Sequence, residues 1–448
     1  MTDNLKQHLT QIRRAALEAV DPARAVQRFL HIEQGASAQG AQAAGLLAHL
    51  PRADRVLLVA AGKAAVPMAQ AAAQALGERI AAGLIVTKYG HASQKRLPTA
   101  IETIEAGHPV PDQAGLTAAE RLLGMLESAT AGDFVLLLLS GGASALLPLP
   151  VPGISLADLQ ELTSLLLRAG ASIGELNTVR KHLDRMKGGG MARAAAPSPL
   201  LALILSDVVG DPLDVIASGP AVPDPTTFQQ AWDILQRYDL LEKAPESTRS
   251  YLAAGRRGQA PETPKPGDPL FESVENHIIG SNRLAALAAR DEAERLGYRA
   301  LLLSTFIEGE ARQVGRVAAG LAKGVRLQGD PFPPPACLIF GGETTVTVRG
   351  SGSGGRNQEL ALAAALALES LPDVGLMALA TDGSDGPTDA AGAIVDGETI
   401  LHARELGLDP YAALENNDAY PFLRATGSLM LTGPTGTNVN DLTVILVR

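Results

Sequence analysis

The feature that most constrains the fold is a six-residue apolar run, Phe134–Leu139, which stops abruptly at Ser140-Gly141-Gly142. It is far shorter than the roughly 20 apolar residues that a membrane-spanning helix needs. Because it shows no polar alternation, it predicts a strand buried on both faces. Similar apolar runs begin after Arg55 and at Leu200, and helical patterns lie between them. The alternation predicts an α/β protein with a doubly wound parallel sheet.

A change in composition predicts the domain organisation. Residues 1–240 carry the strand–helix alternation and form the predicted N-terminal domain. The stretch from Gly255 to Pro269 is polar and rich in Pro and Gly, so residues 241–275 are predicted to be a linker or long loop. Residues 276–448 mix parallel-type and hairpin-type signals, which predicts a smaller α/β domain with a mixed sheet.

Composition excludes several classes of function. A net charge of −10 and only 3% aromatic residues argue against broad contact with nucleic acid or an anionic membrane. The single cysteine, Cys337, rules out an intrachain disulfide and a Cys-based zinc site, and it is predicted to be a buried strand residue. The polar segment Met1–Thr10 lacks a signal-peptide core, so a cytoplasmic location is expected.

The turn at Gly62-Lys63 is a candidate anion site, because it lies where an apolar strand runs into a helix. A helix N-terminus exposes unpaired amides and a partial positive charge, to which Lys63 adds a full one. It is not a Walker A motif, since Leu57 and Ala64 occupy positions that this motif gives to Gly and to Ser or Thr. The alternative is an ordinary surface lysine at a turn.

A second candidate is the turn after the most apolar strand. Gly141 and Gly142 allow the backbone to approach a ligand closely, and the hydroxyls of Ser140 and Ser144 can donate to its oxygens. In open α/β sheets, ligands bind at the carboxyl ends of strands. The alternative is a tight turn that only starts a helix.

Two further groups in the first half carry charge. Asp207 ends another apolar strand, where a carboxylate can hold Mg²⁺ or accept a proton from a substrate hydroxyl. The alternative for Asp207 is a turn cap. Upstream, a candidate group comprises Asn177, Arg180, Lys181 and Lys187, which lead into Gly188-Gly189-Gly190. The alternative, and the favoured interpretation, is a solvated cationic helix with a glycine C-cap.

The second half contains the densest glycine run, between a predicted strand and a helix. Its glycine amides and the side chain of Arg356 can clamp phosphate oxygens. The residues predicted to bind phosphate or substrate here are Gly352, Gly354, Gly355 and Asn357. The run formally fits G-x-G-x-x-G, but any glycine-rich stretch does so, and the acid that a dinucleotide site requires comes too late in the sequence. A flexible loop is the alternative.

Acidic residues follow two other predicted strands. Glu343 lies in a Gly-Gly-Glu segment that is predicted to join two strands, and Asp382 begins a loop with three carboxylates. The loop does not have EF-hand spacing, and Mg²⁺ prefers one or two carboxylates together with phosphate oxygens. Asp382 and Glu343 are therefore the predicted metal ligands. An acidic turn is the alternative. Neither H-E-x-x-H nor G-x-S-x-G occurs, which argues against a catalytic zinc and against a serine hydrolase.

Together, these segments resemble the glycerate 2-kinase family, whose C-terminal part is the MOFRL domain. The resemblance covers nearly the whole chain, and nine segments carry it in order: VAAGKAA, EAGHPVPD, LLSGGASALL, NTVRKHLDRMKGGG, ILSDVVGDPLDVIASGPAVPDPTTF, IIGSN, GGETTVTVRGSGSGGRNQELAL, TDGSDGPTDAAGA and TGPTGTNVNDL.

The resemblance implies ATP- and Mg²⁺-dependent phosphorylation of D-glycerate at its 2-hydroxyl. It also implies a Rossmann-like N-terminal domain and an active site in the cleft between the two domains. In that family a lysine and an arginine are implicated in catalysis, and Lys63 and Arg356 match them here. We expect these two to stabilise the transferring phosphoryl group, and Asp207 or Asp382 to hold Mg²⁺ or orient the glycerate hydroxyl.

Two rival functions stay open at this point. Some family members are called hydroxypyruvate reductases, so one rival is an NAD(P)H-dependent reductase. The other is a non-catalytic protein that binds an anion or a nucleotide. The sequence is compatible with a homo-oligomer and leaves the oligomeric state open.

Overall fold

In the computed structural model, which describes residues 3–31, 45–92 and 97–448, the chain divides into two compact units. The parallel-sheet unit comprises Pro22–Ser206 and Asp211–Ile279. The mixed-sheet unit comprises the N-terminal segment through Asp21, Asp207–Gly210 and Gly280–Arg448. Among the described residues, no helix combines the length and the apolar character that crossing a membrane requires.

The strands are numbered in chain order. They are β1 Val56–Ala61, β2 Ile80–Lys88, β3 Ile101–Ala106, β4 Phe134–Leu139, β5 Leu200–Leu205, β6 Val274–Gly280, β7 Arg299–Glu310, β8 Ala336–Thr345, β9 Val374–Ala380, β10 Gly392–Asp396, β11 Leu429–Met430 and β12 Asp441–Val447.

The α-helices are numbered in the same way. They are α1 Asp3–Ala19, α2 Pro22–His31, α3 Ala65–Leu76, α4 Gln113–Glu127, α5 Ala143–Leu146, α6 Leu156–Arg168, α7 Ile173–Lys181, α8 Gly190–Ala195, α9 Phe228–Arg237, α10 Glu246–Arg256, α11 Asn282–Arg295, α12 Ala311–Lys323, α13 Arg356–Leu368, α14 Thr399–Glu405, α15 Pro410–Glu415 and α16 Ala419–Ala425.

The sheet of the parallel-sheet unit has the strand order β3-β2-β1-β4-β5-β6. The pairs β2–β3, β1–β2, β1–β4 and β4–β5 are all parallel. Every residue of β1, β4 and β5 is buried, which explains why these strands read as continuous apolar runs. The order is that of a Rossmann-type sheet, whose strand sequence reverses direction between β1 and β4. The predicted doubly wound parallel sheet is confirmed.

The second sheet has the order β11-β10-β9-β12-β8-β7. Only β7 and β8 pair in parallel, whereas β12 runs antiparallel to both β8 and β9. Helix α13 is buried along most of its length beside these strands, in an aliphatic core rich in Ala and Leu. The predicted mixed sheet is therefore confirmed.

Details of the mixed-sheet unit differ from the prediction. Gly341-Gly342-Glu343, predicted to join two strands, lies inside the single strand β8. Gly342 has a φ of +148°, and a Cβ there would lie 2.0 Å from the backbone oxygen of Ile307 on β7. A glycine at this position thus reflects close strand approach rather than a loop. Cys337 is fully buried in β8, as predicted.

The unit boundaries also differ from the predicted domain limits. Residues 241–275, predicted as a linker, contain α10, in which Thr248 and Leu252 are buried, and they group with the parallel-sheet unit. The Pro- and Gly-rich composition misled because nearly all of it belongs to the residues after this helix. The N-terminal segment and Asp207 group with the mixed-sheet unit, a long-range association that local composition does not encode.

Candidate active site

The strand order places two of the predicted turns next to each other. Gly62-Lys63 follows β1 and Ser140-Gly141 follows β4, and these two strands flank the point where the sheet reverses. In sheets of this type, ligands bind outside the carboxyl ends of the strands at that switch point. The topology therefore selects this edge of the parallel sheet as a candidate binding site.

Backbone contacts join the two turns. The N–H of Lys63 donates to the carbonyl of Gly141 at 3.0 Å, and the N–H of Ala64 donates to Oγ of Ser140 at 3.0 Å. Gly62 has a φ of +123°, and a Cβ there would lie 2.2 Å from Oγ of Ser140. The structure thus gives the buried Ser140 hydroxyl a part in holding the two turns together, in addition to its predicted role in binding.

The side chain of Lys63 is half-buried, and its ammonium has no hydrogen-bond or ion-pair partner among the described residues. Other cationic or titratable groups lie near the same edge: Lys88 ends β2, and Nδ1 of His91 is 3.3 Å from the backbone oxygen of Lys63. A half-buried cation without a counter-charge is available to an anionic ligand, and neighbouring positive charge strengthens that attraction.

His108, in the loop after β3, completes this edge. A Cβ added to Gly142 would lie 2.9 Å from Cδ2 of His108 and 3.7 Å from Cε of Lys63, so the imidazole lies over the glycine turn. Burial, followed by the charges of Lys63 and Lys88, lowers the pKa of His108 to about 4. The imidazole is therefore neutral near pH 7, where it can donate or accept a hydrogen bond.

Ser144 is bonded within the same unit. Its Oγ is 2.8 Å from Oγ of Ser218 and accepts a hydrogen bond from Nη2 of Arg180 at 2.9 Å. Oγ of Ser218 in turn donates to the side-chain oxygen of Asn177 at 3.1 Å. Burial lowers the pKa of Arg180. This network fixes the Ser144 hydroxyl beside a guanidinium, an arrangement suited to an anion.

The interpretation of residues 177–187 as a solvated cationic helix is wrong. Asn177, Lys181 and Lys187 are each no more than 4% exposed. Nζ of Lys187 lies 2.6 Å from Asp184, and Nζ of Lys181 lies 3.4 Å from Asp224. Buried lysines require such partners. Asp184 lies three residues before Lys187, whereas Asp224 is brought to Lys181 by the fold.

In the mixed-sheet unit, Arg356 is the first residue of α13 and is held by two carboxylates. Its Nε and Nη2 donate to Asp441 at 2.5 and 3.0 Å, and its Nη1 lies 3.0 Å from Glu343. Burial alone would lower the pKa of Arg356, but the hydrogen bonds and charges of Asp441 and Glu343 raise it overall. The guanidinium is therefore charged and oriented.

The prediction that Glu343 binds a metal is not supported by this arrangement. One of its oxygens is paired with Arg356, and the other accepts a hydrogen bond from the side-chain nitrogen of Asn440 at 2.9 Å. Asn440 also donates to the backbone oxygen of Asp207 at 2.8 Å, which brings Asp207 into the same cluster. Sequence reasoning missed the ion pair because Glu343 and Arg356 come from different elements.

The glycine run before α13 is an ordered loop rather than a flexible one. The N–H of Gly352 donates to the backbone oxygen of Asn416 at 3.0 Å, and the N–H of Ser353 donates to Asp418 at 2.8 Å. Gly355 is the N-cap residue of α13. The amide of Gly352, predicted to bind phosphate, is thus already satisfied within the unit, as loop amides must be when they pack.

Asn357 is also engaged within the unit. It is 1% exposed, and its backbone and side-chain nitrogens both donate to Oδ1 of Asp385, at 3.1 and 3.3 Å. The N–H of Gln358 donates to the other oxygen of Asp385 at 2.8 Å. The Asp385 carboxylate therefore occupies the N-terminus of α13, where phosphate binding was predicted. The structure supports a packing role for Asn357.

Asp382, the other predicted metal ligand, contacts the backbone of its own loop. Asp382 is half-buried, and one of its oxygens accepts the N–H of Ser384 at 2.9 Å. Within the residues that the structure describes, no three His, Cys, Asp or Glu side chains form a group that could hold a metal ion. Asp382 is thus compatible with Mg²⁺ only as one ligand among nucleotide oxygens and waters, the coordination that Mg²⁺ usually keeps.

Several residues of these two clusters were not predicted as site residues. They are Lys88, His91, His108, Arg180, Ser218, Asp385, Asn440 and Asp441. A partial signal existed for all but Lys88 and His91, since the other six lie in segments that carry the family resemblance. Spacing along the chain could not reveal which of them meet.

Comparison with known proteins agrees with both the fold and the motifs. Residues 8–253 match the family described as a domain of unknown function, DUF4147, and residues 336–441 match the MOFRL family. The chain is 46% identical to the D-glycerate 2-kinase of Thermotoga maritima, over 99% of each chain. It is 43% identical to a protein of Agrobacterium vitis named "Putative hydroxypyruvate reductase", over 88% of this chain and 87% of that one.

A solved structure extends the similarity to three dimensions. The crystal structure of the glycerate kinase from Thermotoga maritima matches with a TM-score of 0.89 at 45% identity, over the full length of both chains. Identity at this level over the full length of both chains shows that the two proteins share the same fold. The two family matches and the identity to the Thermotoga maritima enzyme show that the chain belongs to the glycerate 2-kinase family.

Proposed function

We propose that the chain transfers a phosphoryl group from ATP to the 2-hydroxyl of D-glycerate, giving 2-phospho-D-glycerate and ADP. The observation that carries this proposal is the ammonium of Lys63, which lies at the switch point of a Rossmann-type sheet and has no partner among the residues that the structure describes. Phosphoryl transfer depends mainly on positioning and on neutralising phosphate charge, which a half-buried cation can do. The names of the relatives, D-glycerate 2-kinase and glycerate kinase, supply the substrate.

In the parallel-sheet unit, we assign Lys63 to the transferring phosphoryl group. Gly141 and Gly142 allow oxygens close to the backbone, and the Ser140 and Ser144 hydroxyls contact the carboxylate or a phosphate. The neutral imidazole of His108 suits a hydrogen bond to the same anion, since a neutral donor adds no repulsion to Lys63. These assignments rest on the shared position of the groups at one sheet edge.

In the mixed-sheet unit, we assign Arg356 to charge stabilisation during transfer. Asp207 orients or deprotonates the glycerate hydroxyl. Gly354 and Gly355 keep the chain compact beside the arginine. Mg²⁺, which neutralises nucleotide phosphates when bound, would be held by Asp382 together with phosphate oxygens and water. Glu343 is left out of the metal site because Arg356 and Asn440 use its oxygens.

The reductase alternative has less support. In a Rossmann sheet, the dinucleotide fingerprint lies in the turn after β1, and that turn contains one glycine followed by Lys63. The G-x-G-x-x-G run instead precedes α13, where Asp385 occupies the helix N-terminus and Asn416 satisfies the amide of Gly352. A carboxylate at that terminus repels pyrophosphate.

The deciding experiment incubates the purified full-length chain with ATP, Mg²⁺ and D-glycerate and identifies the product by phosphorus NMR. We expect ADP and 2-phosphoglycerate in equal amounts. Formation of 3-phosphoglycerate would overturn the regiochemistry. NADH oxidation with hydroxypyruvate in the absence of ATP would favour the reductase, and ATP binding without turnover would favour a non-catalytic protein.

The single buried cysteine fits a reducing compartment, so we retain the cytoplasm as the proposed location.

A further inference from the structure

Arg356 is oriented by a carboxylate that the fold holds rigidly. The Asp441 carboxylate accepts hydrogen bonds from Nε at 2.5 Å and from Nη2 at 3.0 Å, so the pair is bidentate. A planar guanidinium held at two nitrogens by one carboxylate is fixed in both position and plane. A guanidinium has five N–H groups. Asp441 uses two of them and Glu343 uses one, so the contacts to described residues leave two for a ligand.

The two carboxylates around Arg356 differ in how firmly they are placed. Asp441 begins β12, which lies between β8 and β9, and pairs there with Gly342 and Ala380. Its backbone oxygen also accepts a hydrogen bond from the side chain of Asn282 at 2.8 Å. The Asp441 side chain is 9% exposed, whereas that of Glu343 is 44% exposed. Asp441 is therefore the fixed partner, and Glu343 is the solvent-facing one.

Stability alone does not explain a buried carboxylate at this position. Removing a carboxylate from water is costly, and a well-packed apolar pair often stabilises a fold as well as a buried ion pair does. Burial raises the pKa of Asp441 to about 6, and the bonds from Arg356 oppose that rise. An arginine that must present its remaining N–H groups in one direction, by contrast, requires such a partner.

We propose that Asp441 is the positioning residue of the active site, which holds the Arg356 guanidinium in the plane that phosphoryl transfer requires. The inference rests on the proposed function, because Arg356 is assigned there to the transferring group. It predicts that Asp441 acts only through Arg356 and makes no contact with substrate.

The test is a double-mutant cycle with the full-length chain, in which kcat and KM are measured for wild type, D441N, R356A and the double variant. We expect D441N to lower kcat on the order of 10²-fold, because misplacing a group by about 1 Å has that effect, with a KM for D-glycerate close to wild type. In the R356A background, D441N should cause no further loss. An equal loss in both backgrounds would overturn the positioning role, as would wild-type kcat in D441N.

Asp133 supplies the matched control. It forms a bidentate pair with Arg55 through Nε at 2.8 Å and Nη2 at 2.7 Å, is equally buried, and precedes β4 at the opposite end of the strand from Ser140. D133N should lower stability but leave kcat within about twofold. If D133N lowered kcat as much as D441N, the loss in D441N would reflect a general effect on the fold, and the positioning role would be overturned.

A second variant covers the case in which D441N does not fold. R356K keeps the charge and can still pair with Asp441, but it loses the planar fork. We expect its kcat to fall nearly as far as that of R356A, and full kcat in R356K would overturn the proposal. Absence of phosphoryl transfer by the wild type would instead overturn the proposed function, and the two failures are thus distinguishable.

Discussion

The two sheets of this protein present their key cations in opposite ways. At the carboxyl edge of the parallel sheet, the Lys63 ammonium has no partner among the described residues. In the mixed-sheet unit, Arg356 is bonded to Asp441 and paired with Glu343. The difference teaches that one cation has no protein partner among the described residues and the other is bonded into the fold.

The physical reason lies in exposure and side-chain chemistry. Lys63 is half-buried at a turn, so water can solvate its compact ammonium until a ligand replaces that water. Arg356 begins a helix whose next residues are buried, and its planar group donates two parallel hydrogen bonds to one carboxylate. Loss of either cation should therefore affect activity, but only the loss of Arg356 should affect stability.

The largest expected effect is that of R356A. We expect kcat to fall on the order of 10³-fold, as for other arginines that stabilise a transferring phosphoryl group. The free energy of unfolding should also fall by about 2–4 kcal/mol, because the buried Asp441 loses its partner. Turnover assays and urea unfolding measure the two effects. Unchanged stability would contradict the idea that this cation belongs to the fold.

K63A should cause a similar loss of kcat, on the order of 10³-fold, without loss of stability. Its free energy of unfolding should stay within about 0.5 kcal/mol of wild type, because its removal leaves no partner unpaired within the described part of the chain. K88A, which removes a neighbouring cation from the same edge, is the comparison for activity. A K63A variant as unstable as R356A would show that Lys63 has a structural partner.

Substitution of Lys187 tests what decides the effect of losing a cation on stability. The two possibilities are whether the cation is paired and which unit it lies in. It belongs to the same unit as Lys63 but is paired with Asp184, and both side chains are 3% exposed. K187A should lower the free energy of unfolding by about 3 kcal/mol, near the lower end for a broken buried pair. The loss is near the lower end because Asp184 still accepts hydrogen bonds from the N–H groups of Leu149 and Met186. A change below about 0.5 kcal/mol, measured by urea unfolding, would restore the solvated interpretation.

The smallest effect concerns pH and the Asp133–Arg55 pair. The hydrogen bonds from Arg55 hold the pKa of Asp133 below its ordinary value of 3.8. A carboxyl with a lowered pKa stabilises the fold above its unfolded pKa, and that contribution disappears as pH falls through the folded value. D133N should therefore be less stable than wild type by about 1–3 kcal/mol at pH 7. The difference should shrink below about pH 4, and a constant difference would contradict the ionic origin.

Much of the fold could be predicted from sequence. The apolar runs of β1, β4 and β5 identify strands buried on both faces, and their alternation with helices identifies a parallel sheet. The boundaries of the two units could not be predicted. The N-terminal segment and Asp207–Gly210 join the mixed-sheet unit through long-range contacts, and no local pattern records such contacts.

The candidate site divides in the same way. Lys63, Ser140, Gly141, Gly142 and Ser144 were predicted because glycines, hydroxyls and a lysine at strand ends have a local signature. The contacts of Glu343, Gly352 and Asn357 could not be predicted. Their partners, Arg356, Asn416 and Asp385, are brought to them only by folding.

The sequence by itself determined the buried strands of the parallel sheet, which residues can carry charge at their ends, and the family to which the motifs point. Propensity, apolar patterning and glycine chemistry are local properties, so they can be read along the chain. Only the tertiary structure decided that Arg356 is paired and that Lys63 has no partner in the described ranges of the chain. Pairing depends on distances of about 3 Å between residues such as Arg356 and Asp441, which are 85 positions apart in sequence. That pairing separates a cation that stabilises the fold from one that is available to a substrate.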